Sequence, residues 1–296
     1  MDDAQNAANM AELARVLDLE PLGGPGPGGE AHAFRAWNQP KPGGRLFGGQ
    51  VLSQCVMATS ATVDDDRPIH SFHGYFLRAG HDDVELLLGV EDLRDGGSFT
   101  TRRVQAYQDG TPIFSGIASF QLRQSGLEHH DEMPAGVPRP EDVAPLQDML
   151  AASDNPHVAG WVLKRPFDIR PIGGEIHSHF HGPQAPDQRF WLRAATAFPT
   201  DPVRNAAAAA YASDYSLLEP TLRAHGLSWS DARLRMASLD HAMWWHAPID
   251  FNDWLLFDYR SPAAENGRGL GIGRIFSRDG RLLASVAQQG MVRVKE

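Results

Sequence analysis

Three polar side chains occur in apolar surroundings, and together they could activate a water molecule. Asp214 lies in a segment predicted to be helical, where its neighbours at helical spacing include Ala210, Tyr211, Leu217 and Leu218. Burying a carboxylate is costly, so such a group either has a raised pKa or accepts fixed hydrogen bonds. Both properties suit a general base. A structural aspartate that caps a local turn is the alternative, and spacing alone does not separate the two.

A glutamine and a serine are the other two candidates. Gln288 shares one face of the last predicted strand with Leu282, Ala284 and Val286. A primary amide among apolar side chains needs a hydrogen-bond partner, which could be the backbone or a reacting group. Ser238 precedes an aromatic-rich segment, and its hydroxyl could bind both a carboxylate and a water. A serine in a strand is also often structural.

A glycine pair begins the first predicted helix. Gly48 and Gly49 would expose the N–H groups of a helix N-terminus, which carries a partial positive charge. Without side chains, this backbone could approach a carbonyl oxygen closely. Gly49 is therefore a candidate oxyanion donor, and one such donor is worth roughly 3 kcal/mol in a transition state. A tight turn that requires glycine explains the pair equally well.

Two further groups of residues could bind a ligand. Aromatic residues near the predicted core strands could line a tunnel for an apolar chain, although most are expected to be core; the candidates are Phe47, Tyr75, Phe76 and Trp244. Arginines could bind phosphate groups, and the candidates are Arg102 and Arg268, with Arg103 and Arg274 beside them. Ordinary surface charges are the alternative for these arginines.

The two halves of the chain share an order of elements. Each half has a predicted helix, Gly48 to Ser60 in the first and Asn205 to Leu218 in the second, followed by an antiparallel meander. Asp109-Gly110 and Asp279-Gly280 each predict a two-residue hairpin turn, in which both residues need positive φ. The alanine run that opens the second helix would let a sheet wrap closely around it.

Aligning the Asp-Gly turns places Ala118 opposite Gln288, and residues Leu46 to Val63 contain no acidic residue that could match Asp214. The first half therefore has the expected shape without the polar residues. We predict an N-terminal unit at 1–127, which includes a Gly/Pro-rich loop at 21–44. A linker at 128–150 and a C-terminal unit at 151–296 follow, and the C-terminal unit carries the polar set.

Composition excludes several classes of protein. The formal net charge of −10 argues against a nucleic-acid partner, which needs a basic surface. Cys55 is the only cysteine, so no intrachain disulfide is possible. The acidic N-terminus does not resemble a signal peptide, and no apolar run is long enough to span a bilayer. We therefore expect a cytoplasmic location and no membrane association.

Three other chemistries have residue patterns of their own that can be sought in the sequence. His177, His179 and His181 alternate and could bind zinc from one strand face, but no carboxylate or cysteine set accompanies them, so we expect no metal. No Gly-x-Ser-x-Gly string of a serine hydrolase occurs. Asp65 and His70 have the spacing of a hydratase pair, although their charged surroundings favour a chance occurrence.

Several strings, in order over nearly the whole chain, resemble the acyl-CoA thioesterase II family. They are Leu46-Phe47-Gly48-Gly49-Gln50, His70-Ser71-Phe72-His73-Gly74-Tyr75-Phe76-Leu77-Arg78, Tyr211-Ala212-Ser213-Asp214, Ala237-Ser238-Leu239-Asp240-His241-Ala242-Met243-Trp244, Gly267-Arg268-Gly269, and Gln288. The chain departs from the family in its histidine-rich segment and its Gly/Pro-rich N-terminal loop.

The resemblance implies an α+β double hotdog fold, in which two tandem helix-wrapped antiparallel sheets form one continuous sheet. It implies hydrolysis of fatty acyl-CoA thioesters without a metal or organic cofactor. The family's catalytic Asp, Ser or Thr, and Gln fall on Asp214, Ser238 and Gln288, which would activate a water. A homo-oligomer is compatible with this fold. A non-catalytic acyl-CoA binding module and a hotdog enoyl-CoA hydratase are the alternatives.

Overall fold

The computed structural model of the chain describes residues 3–41, 43–151, 164–173 and 182–295. The α-helices in these ranges are α1 (Asp3–Leu17), α2 (Gly48–Ser60), α3 (Leu146–Ala151), α4 (Pro202–Ser213) and α5 (Glu219–Ala224). The strands are β1 (Leu19–Leu22), β2 (His32–Ala36), β3 (Ile69–Phe76), β4 (Leu86–Asp95), β5 (Phe99–Gln108), β6 (Thr111–Gln121), β7 (Phe167–Ile172), β8 (Asp187–Ala194), β9 (Leu234–Ser238), β10 (Asp240–Trp245), β11 (Leu255–Glu265), β12 (Arg268–Ser277) and β13 (Leu282–Val294).

All of these strands belong to one 13-stranded antiparallel sheet. Their order is β1-β2-β4-β5-β6-β3-β10-β13-β12-β11-β8-β7, and β9 pairs with β13 beside this path. The strands of the first and second halves meet where β3 pairs with β10. The predicted α+β architecture, with two antiparallel sheets joined into one, is therefore confirmed.

The helices α2 and α4 pack against each other, and α2 also contacts strands β3 to β6. The predicted range of α2 matches the structure. Helix α4 was predicted to run from Asn205 to Leu218, and this is wrong at both ends. It begins at Pro202, because the Asp201 carboxylate accepts hydrogen bonds from the first N–H groups and proline fits the first turn. It ends at Ser213, so Asp214 is the residue that caps the helix rather than one inside it.

One of the two predicted Asp-Gly turns has the expected geometry. Asp109 and Gly110 join β5 to β6 with φ values of 49° and 69°. In the second hairpin only Gly280 has positive φ, at 94°, and the strands end at Ser277 and Leu282, so the turn is longer than predicted. A third hairpin, β11–β12, was not predicted, and its turn has two positive-φ residues, Asn266 and Gly267.

The segment 21–44 is not a loop throughout, in contrast to the prediction. It contains β2 and the end of β1, which pair with each other, and β2 also pairs with β4 at the sheet edge. Buried Glu30 fixes the turn between them, because its carboxylate accepts hydrogen bonds from the Gly28 N–H at 2.9 Å and the Tyr107 hydroxyl at 2.5 Å. The glycines suggest a loop in the sequence, whereas in the structure several of them lie in the turn between two paired strands.

Residues 131–143 lie on the face of β8, β11 and β12 that is opposite to the helices. Met133, Val137 and Val143 pack there against a small core that includes Trp191 and Phe276. Hydrogen bonds to the backbone of Pro138 and Pro140 and ion pairs with Asp131 and Glu141 also hold the segment on the sheet. This part of the chain is therefore packed on the C-terminal strands.

Candidate active site

Helix α2 begins where helix α4 ends. The backbone N–H of Gly49, the second residue of α2, donates a hydrogen bond to Asp214 Oδ2 at 2.8 Å. Phe47 occupies the N-cap position and offers no side-chain acceptor, so the carboxylate from the second half takes that role. A Cβ atom on Gly48 would lie 2.6 Å from Asp214 Oδ2, and one on Gly49 would lie 2.4 Å from the Tyr211 carbonyl oxygen. Glycine is required at both positions by this close approach.

The predicted glutamine and serine also meet at this point. Gln288 Nε2 donates a hydrogen bond to Ser238 Oγ at 2.7 Å. The pairing of β9 with β13 brings the two residues together, since Ser238 lies opposite Gly290, two residues beyond Gln288 in β13. Gln288 is buried, whereas Ser238 and Asp214 remain partly exposed. A reacting molecule could therefore reach the hydroxyl and the carboxylate while the amide stays fixed.

Burial raises the pKa of Asp214 to about 6. Hydrogen bonds from the Gln288 amide, the Gly49 N–H and the Ser238 hydroxyl act in the opposite direction and lower it. The structure therefore brings Asp214, Ser238 and Gln288 close together, and the Gly49 N–H contacts the same carboxylate. A carboxylate with a pKa near 6 is ionised at neutral pH and still basic enough to accept a proton from water.

Sequence reasoning missed a buried histidine behind this group. His241 Nδ1 lies 2.7 Å from Gln288 Oε1, and its Nε2 lies 3.0 Å from Ser213 Oγ. Burial lowers the pKa of His241 to about 4, although the hydrogen bond with Gln288 opposes the shift. The residue could have been found from the sequence, because at a period of two it shares a strand face with Met243 and Trp245, which are apolar.

The first half has no polar residues at the positions that correspond to His241 and Gln288. Ala118 stands at the same distance after its Asp-Gly turn as Gln288 does, and it pairs with Phe72 of β3. Phe72 therefore corresponds to His241, and both of these first-half residues are buried apolar groups. The two halves therefore share the strand pairing at this place, whereas the neighbouring residues are apolar in the first half and polar in the second.

The aromatic candidates divide between the two sheet faces. Phe47 is buried and stacks on Tyr215, with ring centroids 5.4 Å apart. Phe76 reaches Gly48, since a Cβ there would lie 3.0 Å from its ring. Tyr75 is 63% exposed, and Trp244 alternates with the buried residues of β10, so both lie on the opposite face. The structure does not bring these last two to the site.

The two arginine candidates also differ. Arg102 is buried, pairs with Asp92 at 2.9 Å and Asp95 at 2.7 Å, and donates to the Thr62 carbonyl oxygen at 3.0 Å. It lies opposite Ala118 in the first half, away from His241 and Gln288. Arg268 is exposed at the start of β12, next to Gly269, which pairs with Gly290.

The other sequence alternatives have separate outcomes. His70 Nε2 contacts Ser119 Oγ at 2.8 Å on the neighbouring strand, and its ring lies edge-on to Phe99, so its contacts are within the sheet. His177, His179 and His181 lie outside the described residues. No helix in the described ranges is long and apolar enough to cross a bilayer.

Comparison with known proteins places the chain among the acyl-CoA thioesterases. The family model for acyl-CoA thioesterase matches residues 161–291, and the model for the acyl-CoA thioesterase N-terminal domain matches residues 36–121. Human acyl-coenzyme A thioesterase 8 is 37% identical over 96% of this chain and 89% of its own length.

Solved structures agree with this assignment. The acyl-CoA thioesterase II TesB2 from Mycobacterium marinum is 36% identical, with a TM-score of 0.76, over 96% of this chain and 98% of that one. A hot dog fold protein of unknown function from Alicyclobacillus acidocaldarius has the same TM-score at 18% identity, over 96% and 99% of the two chains, and supports the fold alone. The chain is therefore a double hotdog protein that belongs to the acyl-CoA thioesterase II family, the TesB type.

Proposed function

We propose that this protein hydrolyses fatty acyl-CoA thioesters to free acid and coenzyme A, with Asp214 as the general base. The proposal depends on one observation: the Asp214 carboxylate contacts a backbone N–H, an amide and a hydroxyl. The pKa of this carboxylate is raised to about 6. Membership of the thioesterase family supports the choice of substrate.

The reaction follows from the donors and acceptors present. Ser238 and Asp214 bind a water, and Gln288 fixes Ser238 from the buried side. Asp214 accepts a proton as the water oxygen bonds to the thioester carbonyl carbon. The tetrahedral intermediate then breaks its C–S bond, releasing the acid and the coenzyme A thiolate, which is protonated by Asp214 or solvent. No covalent acyl-enzyme forms, because Ser238 serves as a water ligand.

Gly49 is not an oxyanion donor in this proposal. Its N–H already donates to Asp214 Oδ2, so it holds the base in place rather than the thioester oxygen. Helix α2 nevertheless contributes its positive end, which favours the ionised carboxylate and partly offsets the cost of burial. Gly49 is therefore a positioning group in our account of the reaction.

We place the start of the acyl chain beside Phe76, which adjoins Gly48 and packs on Phe114 with ring centroids 5.0 Å apart. Phe47 supports the same region from its stack on Tyr215. Arg268 is the candidate that we retain for a coenzyme A phosphate. Arg103 and Arg274 form ion pairs with acidic residues, Glu91 in the first case and Asp131 and Asp258 in the second. Gly269, its neighbour, lies two strand spacings from Ser238, or roughly 10 Å.

We also propose that residues 1–127 and 151–296 are two hotdog units joined by the linker 128–150. Corresponding strand pairs support this division, since β3 pairs with β6 in the first half as β10 pairs with β13 in the second. All three residues of the catalytic set belong to the second unit, and Gly49 and Phe76 of the first unit complete the site.

The proposal is tested by thiol release from a series of saturated acyl-CoAs of increasing chain length. Hydration of an enoyl-CoA and binding of a non-hydrolysable acyl-CoA thioether are measured in parallel. Thiol release with turnover supports hydrolysis. Hydration without thiol release would favour the hydratase, and thioether binding without either reaction would favour a binding module.

A further inference from the structure

We propose that His241 is a positioning residue, which holds a proton on Nδ1 and thereby fixes the amide orientation of Gln288 for the reaction. The inference rests on the proposed function for its effect on turnover. The residues Ser213, His241, Gln288 and Ser238 form a hydrogen-bonded series, in which successive contacts measure 3.0, 2.7 and 2.7 Å.

The first step is the orientation of the Gln288 amide. A side-chain amide has an oxygen that only accepts and a nitrogen that only donates. Asp214 accepts a hydrogen bond from Gln288, which lowers its pKa, so the nitrogen must face the carboxylate. Gln288 Nε2 also donates to Ser238, and this leaves Oε1 towards the histidine.

The second step is the tautomer of His241. Because Gln288 Oε1 can only accept, the imidazole must donate from Nδ1. The ring is buried and its pKa is lowered, so it is neutral, and Nε2 carries a lone pair. Ser213 Oγ lies 3.0 Å from that lone pair and can donate its hydrogen to it.

A competing proton arrangement shows why the histidine matters. Ser213 Oγ also lies 2.9 Å from the Ala210 carbonyl oxygen and could donate there instead. His241 would then hold its proton on Nε2, and Gln288 would turn its nitrogen towards Nδ1. The amide oxygen would face Asp214 and take the hydrogen of Ser238, which would leave neither group able to hold the water at the base.

The surroundings favour the first arrangement. The carboxylate of Asp214 would repel the amide oxygen in the second one. A further titratable group close to this series, among the described residues, is Tyr259, a buried phenol whose hydroxyl donates to the Ser213 carbonyl oxygen at 3.2 Å. The negative charge of Asp214 adds to the effect of burial and raises the pKa of Tyr259, so it stays neutral.

The related residue of the first half gives the contrast. Phe72 occupies the place of His241 and pairs with Ala118 in the place of Gln288. An apolar residue therefore fills this position where no amide needs orienting. Burying a histidine at this position has an unfavourable free energy of desolvation, and the hydrogen bond with Gln288 offsets part of it.

The test compares two substitutions of nearly equal shape. His241→Asn can place a side-chain N–H near the position of Nδ1, whereas His241→Leu cannot. We expect His241→Leu to lower kcat at least tenfold with KM changed less than threefold, and to move the acid limb of the pH–rate profile to higher pH. His241→Asn should keep kcat within about threefold of the wild type. His73→Asn, on the exposed face of the same sheet, is the control and should leave kcat unchanged.

A second measurement does not depend on activity. Nitrogen NMR of wild-type protein labelled at histidine, with the His241 signals identified from the Asn variant, reports which ring nitrogen is protonated. Protonation of Nδ1 at neutral pH supports the inference, and protonation of Nε2 overturns it. Equal kcat for the Leu and Asn variants would also overturn it while leaving hydrolysis intact. Absence of turnover in the wild type would instead refute the proposed function, and the NMR result would still decide the tautomer.

Discussion

The N–H of Gly49 donates a hydrogen bond to the carboxylate of Asp214 across the contact between the two central helices. The bond joins the start of a helix in the first half to the residue that ends a helix in the second. Because Phe47 offers no side-chain acceptor, the carboxylate both caps a helix and faces the proposed water. The site therefore depends on both halves of the chain.

The first prediction concerns the space around this bond. Gly48→Ala would place a methyl group 2.6 Å from Asp214 Oδ2 and 3.0 Å from the Phe76 ring. We expect the carboxylate to be displaced and kcat to fall at least tenfold, measured as thiol release. Gly97→Ala is the matched control, because nothing lies within 4 Å of its added methyl. Wild-type turnover in Gly48→Ala would contradict the placement of Asp214.

The second prediction is a pH dependence. Asp214 must be ionised to accept a proton, and burial raises its pKa to about 6. Activity should therefore fall as pH decreases through 6 and approach a tenfold loss per pH unit below it. Because the phosphates of coenzyme A also titrate, the profile should be repeated with an acyl thioester of N-acetylcysteamine. A profile that stays flat down to pH 5 with this substrate would exclude Asp214 as the base.

The third prediction separates the two faces of β13. Gln288→Ala removes the amide that donates to Ser238 and Asp214, and we expect kcat to fall roughly 10²-fold. Gln289→Ala changes the opposite face and should keep wild-type kcat. Steady-state kinetics of the two purified variants give the comparison. Similar losses in both would indicate a general disturbance of the strand rather than a role for the amide.

A related prediction concerns the hydroxyl next to this amide. Ser238→Ala should lower kcat by a comparable factor, because the water loses one of its ligands. Ser238→Thr keeps a hydroxyl at the same place and should retain most of the turnover. If the Ala variant hydrolysed acyl-CoA as fast as the Thr variant, the hydroxyl would have no part in binding the water.

The fifth prediction is a gain in stability. The folded chain holds the Asp214 proton more tightly than the unfolded chain does, since its pKa of about 6 exceeds the ordinary 3.8. The free energy of unfolding of the wild type therefore decreases as pH rises from 4 through 6, because ionisation of Asp214 is less favourable in the folded chain. An asparagine at this position stays neutral and does not contribute such a decrease. With allowance for the partial exposure of Asp214, Asp214→Asn should raise the free energy of unfolding by about 2 kcal/mol at pH 7.5 relative to its effect at pH 4. Urea unfolding at the two pH values measures it, and an equal effect at both would contradict the raised pKa.

The sequence predicted much of the fold because its strongest signals are local. The apolar run of α2 and the Asp109-Gly110 turn depend on neighbouring residues, and both have the predicted geometry. The start of α4 was predicted too late in the chain, although Asp201 and Pro202 together form a local signal for a helix start. The strands in segment 21–44 depend on Glu30 and Tyr107, which are distant in sequence, so the glycines misled the prediction.

The candidate site was predictable in its residues but not in its contacts. Asp214 and Gln288 stood out as polar groups among apolar ones, and the structure brings them together with Ser238. That the Gly49 N–H is taken by a carboxylate could not be foreseen, since the contact joins residues 165 positions apart. The face of Trp244 follows from strand alternation, since it alternates with the buried residues of β10, and closeness in sequence to the core strand does not bring it to the site.

The most direct test of the account is thiol release from a long-chain acyl-CoA by the wild type and Asp214→Asn, compared under saturating substrate. Thermal unfolding confirms in the same samples that the variant is folded. We predict rapid release by the wild type and a decrease of 10²-fold or more in the variant. Release by a folded Asp214→Asn variant at the wild-type rate would contradict the central claim that this carboxylate activates the water.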